Sequence, residues 1–400
     1  MKGFPEETFG ILHKVYDTKL LRIGPNELHI SDPEVYKDIY KQVDAFPKYE
    51  PFYFSFNAPY TLFSETDAAK HKERRRLLNP MFSRAGILKL EPLIREKLSN
   101  LDAKVKRLSS RQDINVYDAF RLLTTEIIME FAFSRSAGII EEHHDDFDSV
   151  FTDALAIAPK GVYIMYEKPW LRHLANAIPT GILRFLKPEM SGIMDLLEYA
   201  FESVRYWESN PHEKKSHDIV FDRLGSLTQS DKITEGVDLL VAGSATTAAS
   251  ASTAVLQILQ HPDVEKKLVD SLDAAIPSAD HMPSLLELEK IDYLTIVSMS
   301  AHTVHTNVGV WGPDARYFNP DRWLGPEAKK LEQYQVAFSK GNRMCIGQNL
   351  ATAEIHNILA HFFRKYKMSL PEDFVPPRKV DMFTLEHERP GIPIKVSTRQ

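Results

Sequence analysis

The spacing of apolar residues along the chain predicts a mainly helical protein. Apolar positions recur with the period of an α-helix from Ile87 to Leu108 and again from Val116 to Phe133. Helical spacing also dominates from Ile233 to Leu272. The segment "SDPEVYKDIYKQ" adds a shorter helix, because its serine or first aspartate can cap the N-terminus and Pro33 suits the first turn.

Short strands complete this pattern. "LLRI" and "ELHI" stand on either side of Gly24-Pro25-Asn26, so they are predicted to be two strands joined by a turn. The C-terminal "GIPIKVST" predicts another strand. The stretch from Phe151 to Ala200 is apolar and interrupted by prolines, and its weaker periodicity predicts no particular element. The expected fold class is therefore mainly α with small β-sheets.

Composition suits one large folded domain. The 400 residues are 43% hydrophobic and 26% charged, enough to build a sizeable core. No Gly/Ser linker, low-complexity tract or repeat divides them, so residues 1–400 are interpreted as a single domain. The formal net charge of −6 argues against nucleic acid as a partner. The one cysteine excludes an intrachain disulfide and fits a reducing compartment.

The sequence also bears on membrane association. The N-terminal residues form neither a signal-peptide core nor an apolar span, so an N-terminal membrane anchor is interpreted as absent. The longest uncharged stretch, from Leu239 to Pro262, has enough residues to cross a bilayer. It is rich in Ser, Thr and Ala, and we interpret it as a buried core helix.

The single cysteine lies in the segment "AFSKGNRMCIGQNLA". Gly341 and Gly347 permit tight turns and the close approach of another group, and Arg343 places a cation two residues before the sulfur. Apolar residues at helical spacing follow, so Cys345 is predicted to lie at a helix N-terminus. Backbone N–H groups and the helix dipole stabilise a thiolate there. Without these surroundings, a lone cysteine is usually a small buried apolar residue.

A thiolate in this position has several possible uses. A cysteine nucleophile needs a base, and the sequence does not show whether His302, His305 or another histidine reaches the sulfur. A structural zinc site needs further ligands, and no second cysteine exists. Haem iron needs only one thiolate.

The cysteine segment resembles the signature F-x-x-G-x-R-x-C-x-G of the cytochrome P450 family of haem-thiolate monooxygenases. The matching residues are Phe338, Gly341, Arg343, Cys345 and Gly347. The resemblance implies the family's fold and haem b, with Cys345 as the axial iron ligand and the other four residues as cofactor-binding residues. It also implies electrons from NADPH through a flavoprotein reductase, and insertion of one oxygen atom from O₂ into a small lipophilic substrate.

A second segment, "AGSATT", resembles the family's A-G-x-[acid]-T pattern in the long central helix. The resemblance makes Thr246 the catalytic residue that relays protons. Ala245 occupies the acidic position, so proton delivery is expected to be slowed or rerouted towards peroxide release. The alternative is structural, since a helical threonine commonly bonds the carbonyl four residues back.

A third segment, "KHKERRRLLNPMFS", resembles the family's helix that binds the haem propionates. His71 and Arg75 are four residues apart, so they share one helix face, and Arg343 is the third expected propionate partner. Taken alone, this run of charges is also typical of a solvated basic face.

One family feature is missing. Arg322 in "YFNPDRW" resembles the arginine that pairs with an E-x-x-R turn, yet no E-x-x-R occurs between Leu286 and Arg322. We interpret this as an internal deletion near residues 297–298, which makes the fold incomplete. An unpaired Arg322 is expected to cost about 3–5 kcal/mol. The alternative function is therefore a non-catalytic, truncated P450-like protein with weak or no haem binding.

The remaining expectations concern context. "RIGPNELHI" and "SMSAHTVHTN" resemble fungal members that modify terpenoid or polyketide intermediates of secondary metabolism. Substrate contacts are expected at Tyr53, Phe54, Phe56 and within residues 151–200. The resemblance places the protein inside the cell on the endoplasmic reticulum surface, or in the cytosol if the anchor is truly missing. Membrane association stays open on these grounds.

Overall fold

The structure, a computed structural model, describes residues 5–25, 27–58, 60–177, 191–210, 217–276, 278, 281–291, 302–382 and 384–399. The predicted junction near residues 297–298 and part of the unassigned stretch 151–200 lie outside the described residues.

Helices make up most of the described chain. They are α1 (Pro5–Val15), α2 (Pro33–Ile39), α3 (Glu50–Phe54), α4 (Ala68–Phe82), α5 (Arg84–Ser109), α6 (Val116–Phe133), α7 (Val150–Glu167), α8 (Trp170–Ala177), α9 (Ser191–Ser209), α10 (Gln229–Gln260), α11 (Pro262–Ala275), α12 (Leu285–Leu288), α13 (His302–His305), α14 (Val308–Trp311), α15 (Ala328–Leu331) and α16 (Gln348–Lys365). Short 3₁₀ helices cover Val220–Arg223, Pro320–Trp323, Glu332–Tyr334 and Gly341–Arg343.

The strands of the described residues form three small antiparallel sheets. They are β1 (Leu20–Gly24), β2 (Glu27–Ile30), β3 (Ile114–Asn115), β4 (Tyr366–Ser369), β5 (Lys379–Met382), β6 (Thr384–His387) and β7 (Pro393–Thr398). β1 pairs with β2, β5 pairs with β6, and β7 lies between β3 and β4. In the central sheet Ile394 faces Ile114 and Thr398 faces Tyr366. The predicted fold class, mainly α with small sheets, is confirmed.

The predicted elements that lie in the described chain are present. The helix predicted after "SD" is α2, and Asp32 caps it by accepting a hydrogen bond from the Glu34 N–H at 3.0 Å. Helical spacing from Ile233 to Leu272 corresponds to two helices, α10 and α11, because Pro262 cannot continue the first one. Parts of α7, α8 and α9 occupy the described portion of 151–200, where periodicity gave no assignment.

The core is built around α6 and α10, with α5 and α16 packed beside them. Nearly every residue of α6 is buried, which is typical of a helix enclosed on all sides. Two glycines of α10 allow the close approach to α6: a Cβ on Gly236 would lie 2.9 Å from the Phe133 ring, and one on Gly243 would lie 2.7 Å from Ile128 Cγ1. The central helix is therefore held in one position against α6.

Hydroxyl groups fix the register between these two helices. Thr124 Oγ1 donates to the Ser244 carbonyl at 2.7 Å, and the Thr125 and Ser244 hydroxyls bond to each other. Ser244 lies in the "AGSATT" segment, so these buried bonds set where that segment sits. α10 is long and apolar enough to cross a membrane, a property that it shares with the buried core helices of other proteins. Here one side of it packs into the core, as expected.

Candidate active site

Cys345 lies in the loop between a 3₁₀ turn and α16. Its N–H donates to the Phe338 carbonyl at 2.8 Å, which closes the loop. The Gly347 and Gln348 N–H groups point at the sulfur, so the predicted helix N-terminus is present. Cys345 is accessible to solvent, while the protein atoms around it partly desolvate the thiol.

The protonation of this thiol differs from the prediction. Burial raises the pKa of the Cys345 thiol, and the N–H groups of Gly347 and Gln348 together with the charge of Arg75 offset that effect only in part. The expected stabilisation of a thiolate by backbone groups is real, but desolvation outweighs it. A bound cation would be needed to favour the thiolate.

The two glycines of the loop have different roles. Gly341 has φ +72°, and a Cβ there would lie 2.5 Å from the Lys41 carbonyl oxygen. Only glycine fits this position without displacing the chain. Gly347 caps α16 with φ −78°, and a Cβ there would lie 3.8 Å from Cys345 Sγ. The absence of a side chain at Gly347 leaves the neighbourhood of the sulfur open.

Positive groups converge beside this loop. α4 turns His71 and Arg75 inward, while Lys72 and Arg76 on the same helix are exposed. Burial lowers the pKa of His71 to about 3, and the positive charges of Arg343, Lys48 and Arg75 act in the same direction. The alternative of a solvated basic face therefore fits only part of the segment.

The arginines also fasten the cysteine loop to its surroundings. Arg75 Nη1 donates to the Met344 carbonyl at 2.6 Å, which ties α4 to the residue before Cys345. Arg343 Nη1 donates to the Glu65 carbonyl at 2.6 Å, and Nη2 donates to the Thr66 carbonyl at 3.2 Å. Each guanidinium carries five N–H donors, so both keep donors for a further ligand.

Lys48 belongs to this cluster and was missed by the sequence analysis. Burial lowers its pKa to about 8, with the charge of Arg343 acting in the same direction and Asp238 opposing it. Its ammonium lies 4.2 Å from the centre of the Tyr53 ring and bonds the Phe63 carbonyl. It comes from the loop before α3, where no local pattern marks it.

Thr246 lies at the middle of α10. Its hydroxyl donates to the Ala242 carbonyl at 2.7 Å, so the structural alternative is what the geometry shows. The side chains of Ala242 and Thr246 are nevertheless exposed, whereas Ser244 and Ala245 between them are buried. The threonine therefore borders an accessible strip of a core helix, and the buried position of Ala245 would disfavour a carboxylate.

Two acidic residues on α10 were not anticipated. Burial raises the pKa of Glu235 to about 7, with Asp238 adding to the effect and Arg74 opposing it. Burial also raises the pKa of Asp238 to about 6, against hydrogen bonds from the Thr61 hydroxyl and the Phe63 N–H. Both carboxyls lie two to three turns before Thr246, and the residues that bind them are distant in sequence.

A third buried acid, Glu354, lies on α16 against Thr247 of α10. Burial raises the pKa of the Glu354 carboxyl well above its ordinary value, and a hydrogen bond with Thr247 opposes this effect only in part. Its position in the sequence fits a helix but does not mark Glu354 as a functional residue, so the sequence did not predict its role.

Arg322 has partners, so the expectation of an unpaired charge is wrong. Its Nη2 lies 2.9 Å from Asp314 Oδ2, and Nη1 donates to the Trp311 carbonyl at 2.9 Å. Its Nε also donates to the Asn319 carbonyl at 3.2 Å. The partners lie only a few residues upstream, and the family comparison did not indicate them.

The histidines considered as bases have other surroundings. His305 is buried, and its Nε2 accepts a hydrogen bond from the Val336 N–H at 3.0 Å. Burial lowers the pKa of His305 to about 4, and burial also lowers the pKa of His302. His305 therefore supports the chain just before the cysteine loop.

The residues expected to contact substrate fall into two groups. Tyr53 and Phe56 pack with Phe63, with ring centres 5.4 and 5.0 Å from it. The Phe63 N–H binds Asp238, so this aromatic cluster lies against α10. Phe54 instead contacts α8, where Arg172 donates to its carbonyl at 3.1 Å. The side chains at 156–160 lie outside the described residues.

A helical fold whose one cysteine is accessible at a helix N-terminus beside a cluster of cations is typical of a haem-thiolate oxygenase. The family model for cytochrome P450 matches residues 4–297 and 295–393. The chain belongs to the cytochrome P450 family, whose members bind haem and receive electrons from a redox partner. By resemblance it is a monooxygenase.

The chain is similar to several fungal proteins. The chain is 30% identical over 422 residues to the cytochrome P450 monooxygenase tpcC of Cochliobolus heterostrophus, covering 90% of this chain and 79% of the relative. It is 30% identical over 410 residues to the cytochrome P450 monooxygenase claJ of Penicillium crustosum, covering 89% of this chain and 92% of the relative. It is 27% identical over 401 residues to the tryptophan 6-hydroxylase fscE of Fusarium equiseti, covering 88% and 78%.

A solved structure shares the fold. The crystal structure of the cytochrome P450 CYP102L1 superposes with a TM-score of 0.78 at 17% identity, covering 98% of this chain and 94% of that one.

Proposed function

We propose that this chain is a haem-thiolate monooxygenase in which Cys345 ligates the iron. One observation carries the proposal: the cations Lys48, Arg75 and Arg343 gather beside the Cys345 loop, with the neutral His71 ring among them. Positive groups that repel one another in a partly buried place fit a ligand with several negative charges. Haem propionates supply such charges, and the iron supplies the cation that favours a thiolate.

Each residue then has a defined task. The arginines and Lys48 bind and orient the propionates, and neutral His71 donates or accepts a hydrogen bond there. The Gly347 and Gln348 N–H groups hold the sulfur in place. When bound, thiolate-ligated haem activates O₂ for insertion of one oxygen atom into the substrate. Thr246 would relay protons by turning its hydroxyl away from the Ala242 carbonyl and towards the cofactor and substrate.

Substrate and electron supply are further parts of the proposal. The Tyr53, Phe56 and Phe63 cluster favours a small lipophilic molecule, and a terpenoid or polyketide intermediate of secondary metabolism fits it. The tryptophan hydroxylase fscE supports an aromatic substrate as a second candidate. Electrons come from NADPH through a flavoprotein reductase. The protein is intracellular, and cell fractionation tests whether it resides on the endoplasmic reticulum.

The internal deletion is also proposed. The family model matches two segments that meet at residues 295–297, which supports a gap there. The alignment to tpcC runs over 422 positions but uses 90% of a 400-residue chain, so about 60 positions have no residue here. A truncated, non-catalytic protein with weak haem binding is the competing function.

The absorption spectrum of the reduced protein with carbon monoxide tests these alternatives. We expect a long-wavelength Soret band typical of thiolate ligation, and its loss in Cys345→Ser. Haem retention should fall in Lys48→Gln but not in Lys70→Gln, a lysine at the exposed start of α4. No haem, or a neutral-ligand band in the unmodified protein, would overturn the proposal and favour the truncated alternative.

A further inference from the structure

We propose that Asp314, acting through Arg322, positions the cysteine loop in this chain. The inference rests on the proposed function, since it takes that loop to be the cofactor loop. It assigns to a local aspartate the support expected from an E-x-x-R turn, which is not found between Leu286 and Arg322. Asp314 is a positioning residue, because it acts on the loop only through other groups.

The first step is the pairing itself. Arg322 Nη2 donates to Asp314 Oδ2 at 2.9 Å and to the Asp314 carbonyl at 3.2 Å. Asn319 Nδ2 donates to the same carboxylate oxygen at 2.8 Å. Hydrogen bonds from Asn319 and the charge of Arg322 lower the pKa of Asp314, so the carboxylate stays ionised. The Arg322 side chain is 13% exposed, so loss of its counter-ion leaves a largely buried cation.

The second step connects Arg322 to the rigid segment before it. Arg322 Nη1 donates to the Trp311 carbonyl at 2.9 Å, and Trp311 Nε1 donates to the Val304 carbonyl at 2.7 Å. The Trp311 ring also packs against the His305 ring, with centres 6.0 Å apart. Arg322 thereby holds α13 and α14 in one arrangement.

The third step reaches the cysteine. His305 Nε2 accepts from the Val336 N–H at 3.0 Å, and the Val336 carbonyl accepts from the Ser339 N–H at 2.8 Å. The adjacent Phe338 carbonyl accepts from the Cys345 N–H at 2.8 Å. Each link is short and partly or fully buried, so a shift at Arg322 is passed to the loop.

The Asp314–Arg322 pair lies at the protein surface. A groove of about 540 Å³ borders Trp311, Asp314 and Arg322. The carboxylate of Asp314 is 41% exposed, so one side of the pair is open to solvent. A partly exposed ion pair contributes less to stability than a buried one. Removing the Asp314 carboxylate is therefore expected to weaken the support of the cysteine loop without abolishing it.

Amide hydrogen exchange of the unloaded protein tests the inference without the cofactor. In Asp314→Asn we expect exchange of the Val336 and Cys345 amides to rise about tenfold, the effect of losing a charge-assisted hydrogen bond. Amides in the middle of α6 should be unchanged. Asp314→Glu should restore most of the protection. Asp321→Asn is the matched control, because this nearby acid forms its ion pair with Lys267.

The cofactor gives a second readout. Haem loss from Asp314→Asn should be about tenfold faster, with part of the carbon monoxide band moved from the thiolate to the neutral-ligand position. Unchanged loop exchange in Asp314→Asn, or an equal rise in α6, would overturn the inference. If the unmodified protein binds no haem, the proposed function fails while the exchange comparison still decides the role of Asp314.

Discussion

The buried Glu235 makes a strong prediction about how stability depends on pH. Its side chain is 1% exposed, Arg74 Nη1 lies 2.5 Å from its Oε2, and the Leu62 N–H donates to both carboxylate oxygens at 3.1 and 3.2 Å. Burial nevertheless raises its pKa to about 7 from 4.5, with the charge of Asp238 adding to the effect. Glu235 ties α10, which carries Thr246, to α4, which carries His71 and Arg75.

The sign of the effect follows from proton binding. Between pH 4.5 and about 7 the folded protein holds the Glu235 proton while the unfolded chain has released it. The free energy of unfolding therefore falls as pH rises through this window. One pKa unit corresponds to about 1.4 kcal/mol, so the loss attributable to Glu235 between pH 5 and pH 8 is about 2–3 kcal/mol.

Replacing the carboxyl by an amide removes this titration. We expect the drop in unfolding free energy from pH 5 to pH 8, measured by urea denaturation, to be about 2–3 kcal/mol smaller in Glu235→Gln. Glu289→Gln is the matched control, since Glu289 pairs with the exposed Arg84. It should keep the pH dependence of the unmodified protein. An unchanged drop in Glu235→Gln would refute the reasoning.

Three further predictions follow from the site and the core. Gly341→Ala should cost about 1–3 kcal/mol and weaken haem retention, because φ is positive and a Cβ meets backbone oxygen; thermal unfolding at normal stability would contradict this. Thr246→Ala should divert oxygen uptake from product to peroxide while Thr246→Ser keeps the coupling, and equal coupling in both would exclude a proton relay. Gly243→Ala should lower the free energy of unfolding by about 1–3 kcal/mol, because the added Cβ would overlap the Ile128 side chain. Gly10→Ala is the control for Gly243→Ala: a Cβ there meets nothing within 4 Å, so the free energy of unfolding should stay unchanged or rise by about 0.5–1 kcal/mol.

The comparison of sequence and structure separates local from distant effects. The limits of α6 and the cap of α2 agree with the periodicity and the Asp32 signal, because helix formation depends on residues three to four apart. The loop motif around Cys345 was recognisable for the same reason: its turn and its N–H donors come from adjacent residues.

Interactions between charged residues that are distant in sequence could not be predicted from this local information. Nothing near Lys48 in the sequence indicates that it meets Arg343, nearly three hundred residues later. Only the folded chain shows that Arg322 pairs with Asp314, eight residues upstream. Family comparison pointed instead to an absent turn.

The sequence by itself determined the helical class, the strands β1, β2 and β7, and the position of Cys345 at a helix N-terminus. The tertiary structure decided which charges are buried, which are paired and which pKa values move, including the raised pKa of Cys345. The physical reason is that backbone periodicity is encoded within a few residues, whereas desolvation and Coulomb interactions depend on distances in space.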